Sequence, residues 1–279
     1  MRNKTTIPTF KALLILTVTT TLVSGGGYLL LNKKKRMAKA EQPVGNIRAI
    51  VQTGPQKEAL STSYLAELLN LSQDRPTPAS SFNLKIAREK LLRSPVVKEA
   101  KVEKLPPDAL FISYTVRQPV ATLYDVENGA LDTEGFLFPL KPFFAPKNLP
   151  EIYLGIAKFN KQGRFAWNQK LASPSLTLAL DLLQLLSAQP YCDLFTVKRI
   201  DLSKAAEKSY GAREIVLIIE ESFKEQKRIY LRLTTKGYAQ ELGNYLELRR
   251  ELAQTKAEDK SRAALVDLRI SKLGYIKDL

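Results

Sequence analysis

The stretch from Ser94 to Tyr124 constrains the fold most strongly. Ser94-Pro95 halts a preceding helical pattern, because the residue before a proline is pushed out of the helical region. Val97 to Lys104 then reads as a strand, and Pro106-Pro107-Asp108 is turn chemistry: proline fixes φ and Asp bonds the backbone ahead of it. Ala109 to Val116 alternates. Leu110, Ile112, Tyr114 and Val116 point one way, and Phe111, Ser113, Thr115 and Arg117 the other. A hairpin with one apolar face needs a cover.

Two helical patterns upstream supply that cover. Ile47 to Val51 reads as a short strand stopped at Gly54-Pro55. Ser61 to Leu71 reads as a helix with Tyr64, Leu65, Leu68 and Leu69 on its apolar face. Asn83 caps a second helix, in which Leu84, Ala87 and Leu91 share a face. The order is β-α-α-β-β, with helices on one face of a three-stranded sheet.

From Pro119 onward the pattern turns to strands. Val120–Tyr124 and Ala130–Phe138 form a hairpin, and Asp132 and Glu134 beside Gly135 read as turn formers rather than as an acid–base pair. Ser173-Pro174 opens a helix lined by Leu176, Ala179, Leu180, Leu183 and Leu186 and ended at Pro190. Three strands come next, Phe195–Leu202, Glu214–Glu220 and Lys227–Leu233, then a helix within Lys236–Gln254 and a final apolar stretch from Ala263. The expected class is α+β, a β-α-α-β-β domain followed by a mostly antiparallel β domain with helices.

Several chemistries are absent. The chain has no histidine, which excludes a Ser-His-Asp triad, a Cys-His dyad and His-ligated metal. Its one cysteine, Cys192, excludes an intramolecular disulfide and reads as a small buried hydrophobe. No phosphate-binding glycine loop and no nucleophile elbow occurs. Catalytic, metal and cofactor residues are therefore expected to be none, and the chain is read as not an enzyme. The net charge of +15 is spread along the sequence, with one dense run at Lys33-Lys34-Lys35-Arg36, so it does not mark a nucleic-acid site.

Ser94-Pro95-Val96-Val97, Ala100-Lys101-Val102, Leu105-Pro106-Pro107-Asp108-Ala109-Leu110, Ile112, and Val116-Arg117-Gln118-Pro119-Val120-Ala121 together resemble the FtsQ/DivIB cell-division family. Its pattern there is P-V-x-x-A-x-V, W-P-x-x-L, I-x-V, E-R-x-P-V-A. Leu105 stands where the family has Trp, and Arg117-Gln118 stands for Glu-Arg. Further along, Leu131–Phe138 resembles I-D-x-x-G-x-x-F, Leu149–Gly155 resembles L-P-x-L-x-G, and Leu265–Arg269 resembles I-D-L-R-Y, with Ile270 replacing the aromatic. The family places a glycine before the last helix; Gly237 and Gly243 both remain open for that role.

The resemblance implies a POTRA domain over 46–117 and an FtsQ-type β domain over 118–279. Before them lie a cytoplasmic tail (1–11), a transmembrane helix (12–31) and a basic linker (32–45). Ala12–Leu31 carries no charge, and twenty residues at helical rise span about 30 Å. An uncleaved anchor fits this run better than a cleaved signal peptide or a cytosolic core helix, because the run is long and KKKR separates it from Ala38-Lys39-Ala40. The basic flank at Lys33–Arg36 places the bulk of the chain inside by the positive-inside rule, whereas the family places it outside.

The resemblance also implies a single-pass protein of the bacterial inner membrane at the division septum, N-terminus cytoplasmic and C-terminal domains periplasmic. It would be a non-enzymatic scaffold of the divisome, with FtsB-like and FtsL-like proteins and other septal membrane proteins as partners and without nucleic acid or small-molecule substrate. The alternative is a POTRA-type chaperone or secretion component of the cell envelope. In this family the last strand accepts a partner strand by β-augmentation. The residues assigned to that role are Asp267, Leu268, Arg269, Ile270 and Ser271, with Gly274, Tyr275 and Ile276 beyond them.

Overall fold

The structure, a computed structural model, describes residues 45–55, 58–156, 166–221, 228–254, 263–271 and 273–279. The chain divides into two compact units that interleave in sequence. The first takes in residues up to Thr53, Thr62–Arg88 and Lys101–Ser113; the second takes in Gly54–Ser61, Glu89–Ala100 and Tyr114–Leu279.

The first elements run in the order β-α-α-β-β: β1 (Ala49–Thr53), α1 (Thr62–Leu69), α2 (Leu84–Arg93), β2 (Val97–Leu105) and β3 (Ala109–Val116). They build a three-stranded sheet in the order β1-β3-β2, with β1 parallel to β3 in the register Ala49 to Ala109 through Thr53 to Ser113. The side-chain alternation of β3 holds: Leu110, Ile112, Tyr114 and Val116 are buried. Within the first unit Leu65, Leu69, Ala79, Ala87, Val102, Leu110 and Ile112 are buried apolar positions. Asn83 caps α2, its Oδ1 accepting the amides of Lys85 and Ile86 at 3.0 and 3.1 Å. Those amides have no partner inside the helix, so the cap satisfies donors that would otherwise be orphaned.

The second unit is organised on a ten-stranded sheet. Its strands are β4 (Ala121–Leu123), β5 (Gly129–Leu131), β6 (Phe136–Pro139), β7 (Glu151–Tyr153), β8 (Gln169–Lys170), β9 (Phe195–Asp201), β10 (Ile215–Glu221), β11 (Arg228–Leu233), β12 (Ala263–Asp267) and β13 (Tyr275–Asp278). The order across the sheet is β13-β12-β11-β10-β9-β7-β4-β5-β6-β8. The sheet is mixed: β4 with β7, β7 with β9, and β11 with β12 run parallel. Helices α3 (Pro174–Leu186) and α5 (Tyr238–Gln254) contribute Leu176, Ala179, Leu182, Leu186, Leu242 and Tyr245 to the core that includes Leu131, Ile152, Ile200, Leu217 and Leu231 from the sheet. A short helix, α4 (Tyr191–Leu194), lies between α3 and β9.

Local chemistry fixes one turn of this sheet tightly. Asp132 Oδ1 accepts the amides of Glu134 and Phe136, closing the β5–β6 turn around Gly135, whose φ of +83° suits glycine. Its Oδ2 pairs with Arg117 at 2.7 Å, and both side chains are buried. Arg117 also donates to Asn168 Oδ1 at 2.9 Å and lies 3.8 Å over the Phe136 ring. Asp132 is thus a turn former, as its setting beside Gly135 predicts, and also one half of a buried ion pair.

Two expectations are corrected and one open choice is decided. The anchor expected at 12–31 lies outside the described residues, and among those described no helix is long and apolar enough to cross a membrane. The longest, α5, has 17 residues and carries Glu241, Glu247, Arg249, Arg250 and Glu251, each of which is costly to place in hydrocarbon. The fold is therefore stated as α+β with mixed sheets. The expectations of a transmembrane helix, of membrane association and of single-pass placement in the inner membrane are withdrawn. Cys192 is exposed rather than buried, because it sits on α4, none of whose side chains is buried. Of the two candidate glycines, Gly237 directly precedes α5 and Gly243 lies inside it.

Candidate partner-binding edge

The expected partner-binding residues fall at one end of the large sheet. β12 is held on one side by β11 in parallel, from Arg228 opposite Ala263 to Arg232 opposite Asp267. On the other side β13 pairs antiparallel, Ala264 with Asp278, Leu265 with Lys277, Val266 with Ile276 and Asp267 with Tyr275. β12 alternates in burial, with Ala264 and Val266 in the core. Every side chain of β13 is exposed. The open edge of the sheet is therefore β13, and Asp267 closes an inner strand.

The eight expected residues separate into two groups. Asp267, Leu268 and Arg269 serve this chain. Leu268 is buried, and its amide donates to Arg232 O at 3.0 Å. Arg269 donates through Nε and Nη2 to Asp267 at 2.9 and 2.8 Å and lies 3.2 Å from Glu214. Its guanidinium, expected to reach a partner carboxylate, is occupied at home. Ile270, Ser271, Gly274, Tyr275 and Ile276 are exposed. Ser271 lies in the link between β12 and β13, off the ladder.

The group that fixes this end of the sheet is one that sequence reasoning missed. Glu214, buried just before β10, accepts from Arg232 Nε at 2.8 Å and Lys204 Nζ at 3.0 Å, besides its contact with Arg269. Arg232 also donates to Asp267 at 2.9 Å. Two carboxylates and three cations from separate stretches of sequence thus converge. Burial, the largest single influence on Glu214, pushes its carboxyl up, yet the bonds from Arg232 and Lys204 outweigh it and hold it below the ordinary 4.5. The bond from Arg269 holds Asp267 below the ordinary 3.8, and the same bond raises Arg269. The sequence spacing gives no signal of this cluster; only the β10-β11-β12 register assembles it.

Around the open edge several large apolar side chains are exposed beside Lys277 and Asp278. Ile270, Leu273, Tyr275 and Leu279 are 65, 66, 62 and 59 % exposed, and Ile276 is also open. Beside them runs a groove of about 560 Å³ whose lining includes Gln240, Asn244, Glu247 and Leu248 of α5 with Leu268 and Leu273. A second groove, of about 530 Å³, lies against Val120, Leu180, Leu183, Cys192 and Phe195. Although Cys192 is exposed, partial desolvation by its neighbours and then the Asp193 carboxylate raise its thiol, which does not make it an activated thiolate. Among the described residues no group of three or more acidic or cysteine side chains is placed to hold a metal ion.

The FtsB-like and FtsL-like partners rested on the resemblance and on a shared membrane setting. Without a membrane-crossing helix among the described residues that expectation is withdrawn, and the edge is characterised by its own chemistry. No protein-family model matches the chain, and no curated protein matches it.

Proposed function

We propose that this protein is a non-enzymatic scaffold of the bacterial division machinery that engages extended segments of other proteins at the β13 end of its large sheet. One observation carries the reading. Of the eleven large apolar side chains exposed among the described residues, five (Ile270, Leu273, Tyr275, Ile276 and Leu279) fall within ten residues at a sheet edge. A sheet edge offers unpaired backbone groups, and an apolar rim beside it gives a strand partner both affinity and register. The motifs around Ser94–Ala121 and Leu265–Arg269, which resemble the FtsQ/DivIB family, supply the biological setting. A fluorescent fusion of the full chain is expected to concentrate at the division site of dividing bacterial cells. Uniform fluorescence throughout the cell cycle would remove the division role.

A further inference from the structure

We infer that the groove beside α3 is a docking site for a cationic amphipathic helix of another protein. The inference goes beyond the β13 edge and does not depend on it. α3 carries more apolar surface than its own core uses. Seven of its thirteen residues are leucine, and its exposed polar line is Thr177, Asp181 and Gln184. A helix that is apolar on nearly every side is normally buried on nearly every side. Here Leu176, Ala179, Leu182 and Leu186 are buried, whereas Leu178, Leu180, Leu183 and Leu185 remain half-buried.

The groove lies along one of those two flanks. Leu180 and Leu183 line it from α3, and Val120, Phe195 and Val197 line it from the sheet side. Its α3 wall runs from Leu180 to Ser187, two helical turns or about 10 Å. The volume of about 530 Å³ is enough to take several side chains. The strands that border it have no open edge. β4 is paired between β5 and β7, and β9 between β7 and β10, so a partner cannot enter here as an added strand. What the groove offers is side chains. Leu180, Leu183 and Ser187 stand at i, i+3 and i+7, the spacing at which the ridge of one helix meets the groove beside another.

Charge selects among helices. The whole chain is at +15, yet among the described residues no lysine or arginine lines this groove. Its one charged lining residue is Asp181, which is exposed on the rim. A second carboxylate, Asp193, adjoins the lining at Cys192, with Oδ1 3.6 Å from Sγ. The complementary occupant therefore carries leucine-like anchors on one face and lysine or arginine beside them. The cations fix its orientation against Asp181 and Asp193.

The test uses the full chain and takes Cys192 as its reporter. Cys192 is the only cysteine in the chain, it is exposed, and it lines the groove, so its labelling by N-ethylmaleimide, read by mass spectrometry, reports occupancy. The probes are an amidated 14-residue peptide of leucine and lysine, with leucine at helical spacing, and the same peptide with glutamate for lysine. The lysine peptide is expected to slow labelling saturably, and the glutamate peptide to leave the rate unchanged. Asp181→Lys reverses the rim charge at an exposed position and is expected to raise the half-protecting concentration of the lysine peptide on the order of 10-fold. Leu180→Ala, which removes an apolar wall, is expected to raise it by a similar factor.

No protection by either peptide would overturn docking at this groove. Equal protection by both, or unchanged protection of Asp181→Lys, would overturn the cationic occupant. Labelling that slows as the chain alone is concentrated would make the occupant a second copy and overturn the inference. None of these outcomes bears on the β13 edge.

Discussion

Arg117 and Asp132 are the residues whose loss should cost most outside the apolar core. Both are buried, and their pairing at 2.7 Å is supported by two backbone amides on Asp132 and by Asn168 on Arg117. The arrangement is not fully satisfied: Arg117 Nε is buried without a hydrogen-bond partner. Removing one member leaves the other charge desolvated and alone. Arg117→Ala is therefore expected to destabilise the fold by about 3–5 kcal/mol in urea unfolding; a loss no greater than that of an exposed ion pair would show that water compensates Asp132. The Glu214 cluster makes a pH prediction. Glu214 and Asp267 are held below their ordinary values of 4.5 and 3.8, so their contribution is complete above those values and is lost as pH falls through the lower folded values. The melting temperature should fall as pH drops below about 4.5. Glu214→Gln should melt lower at neutral pH and lose less on acidification, and parallel curves for the two proteins would assign the acid loss to other carboxylates.

Among the elements, α3 and β13 stand at opposite extremes. The helix has Ser173 at its N-cap and proline in its first turn, and it buries Leu176, Ala179, Leu182 and Leu186. The apolar stripe is legible in the sequence, but its spacing leaves out Leu182. Leu180 and Leu183, which it includes, are only partly buried, because the packed face is rotated slightly from the one the spacing suggests. Leu182→Ala should cost about 2–5 kcal/mol, measured by denaturant titration, since the site is fully buried and collapses only in part. A smaller loss would mean that the helix shifts to fill the space. β13 has no such support. Ordering its four residues costs about 1–2 kcal/mol each, and each ladder hydrogen bond returns about 0.5–1.5 kcal/mol. With every side chain exposed, burial adds little, and the strand sits near balance. That physical state also explains why the sequence does not announce it: Tyr275-Ile276-Lys277-Asp278 has no alternation, because neither face of the strand is buried.

For the whole molecule, the charge of +15 is distributed rather than gathered, and several of the basic residues are paired locally. Arg117, Arg199, Lys204, Arg228, Arg232, Arg249 and Arg269 all meet carboxylates within their own unit. The net charge says less about partners than its size suggests, and the sheet edge says more.

What the sequence determined by itself is local. It set the β-α-α-β-β order, the buried alternation of Leu110 to Val116, the Asn83 cap, the Asp132–Gly135 turn and the start of α3 at Ser173-Pro174. Each of these depends on residues within a few positions of one another, where propensity, capping and period act directly. Tertiary structure decided what depends on register between distant strands. It joined Glu214, Arg232, Asp267 and Arg269 into one cluster and chose Gly237 over Gly243 to precede α5. It also turned Asp267 to Arg269 inward and moved the open edge from β12 to β13. A strand's neighbours are set by pairing across the sheet, and no spacing along the chain encodes which of two adjacent strands lies outermost.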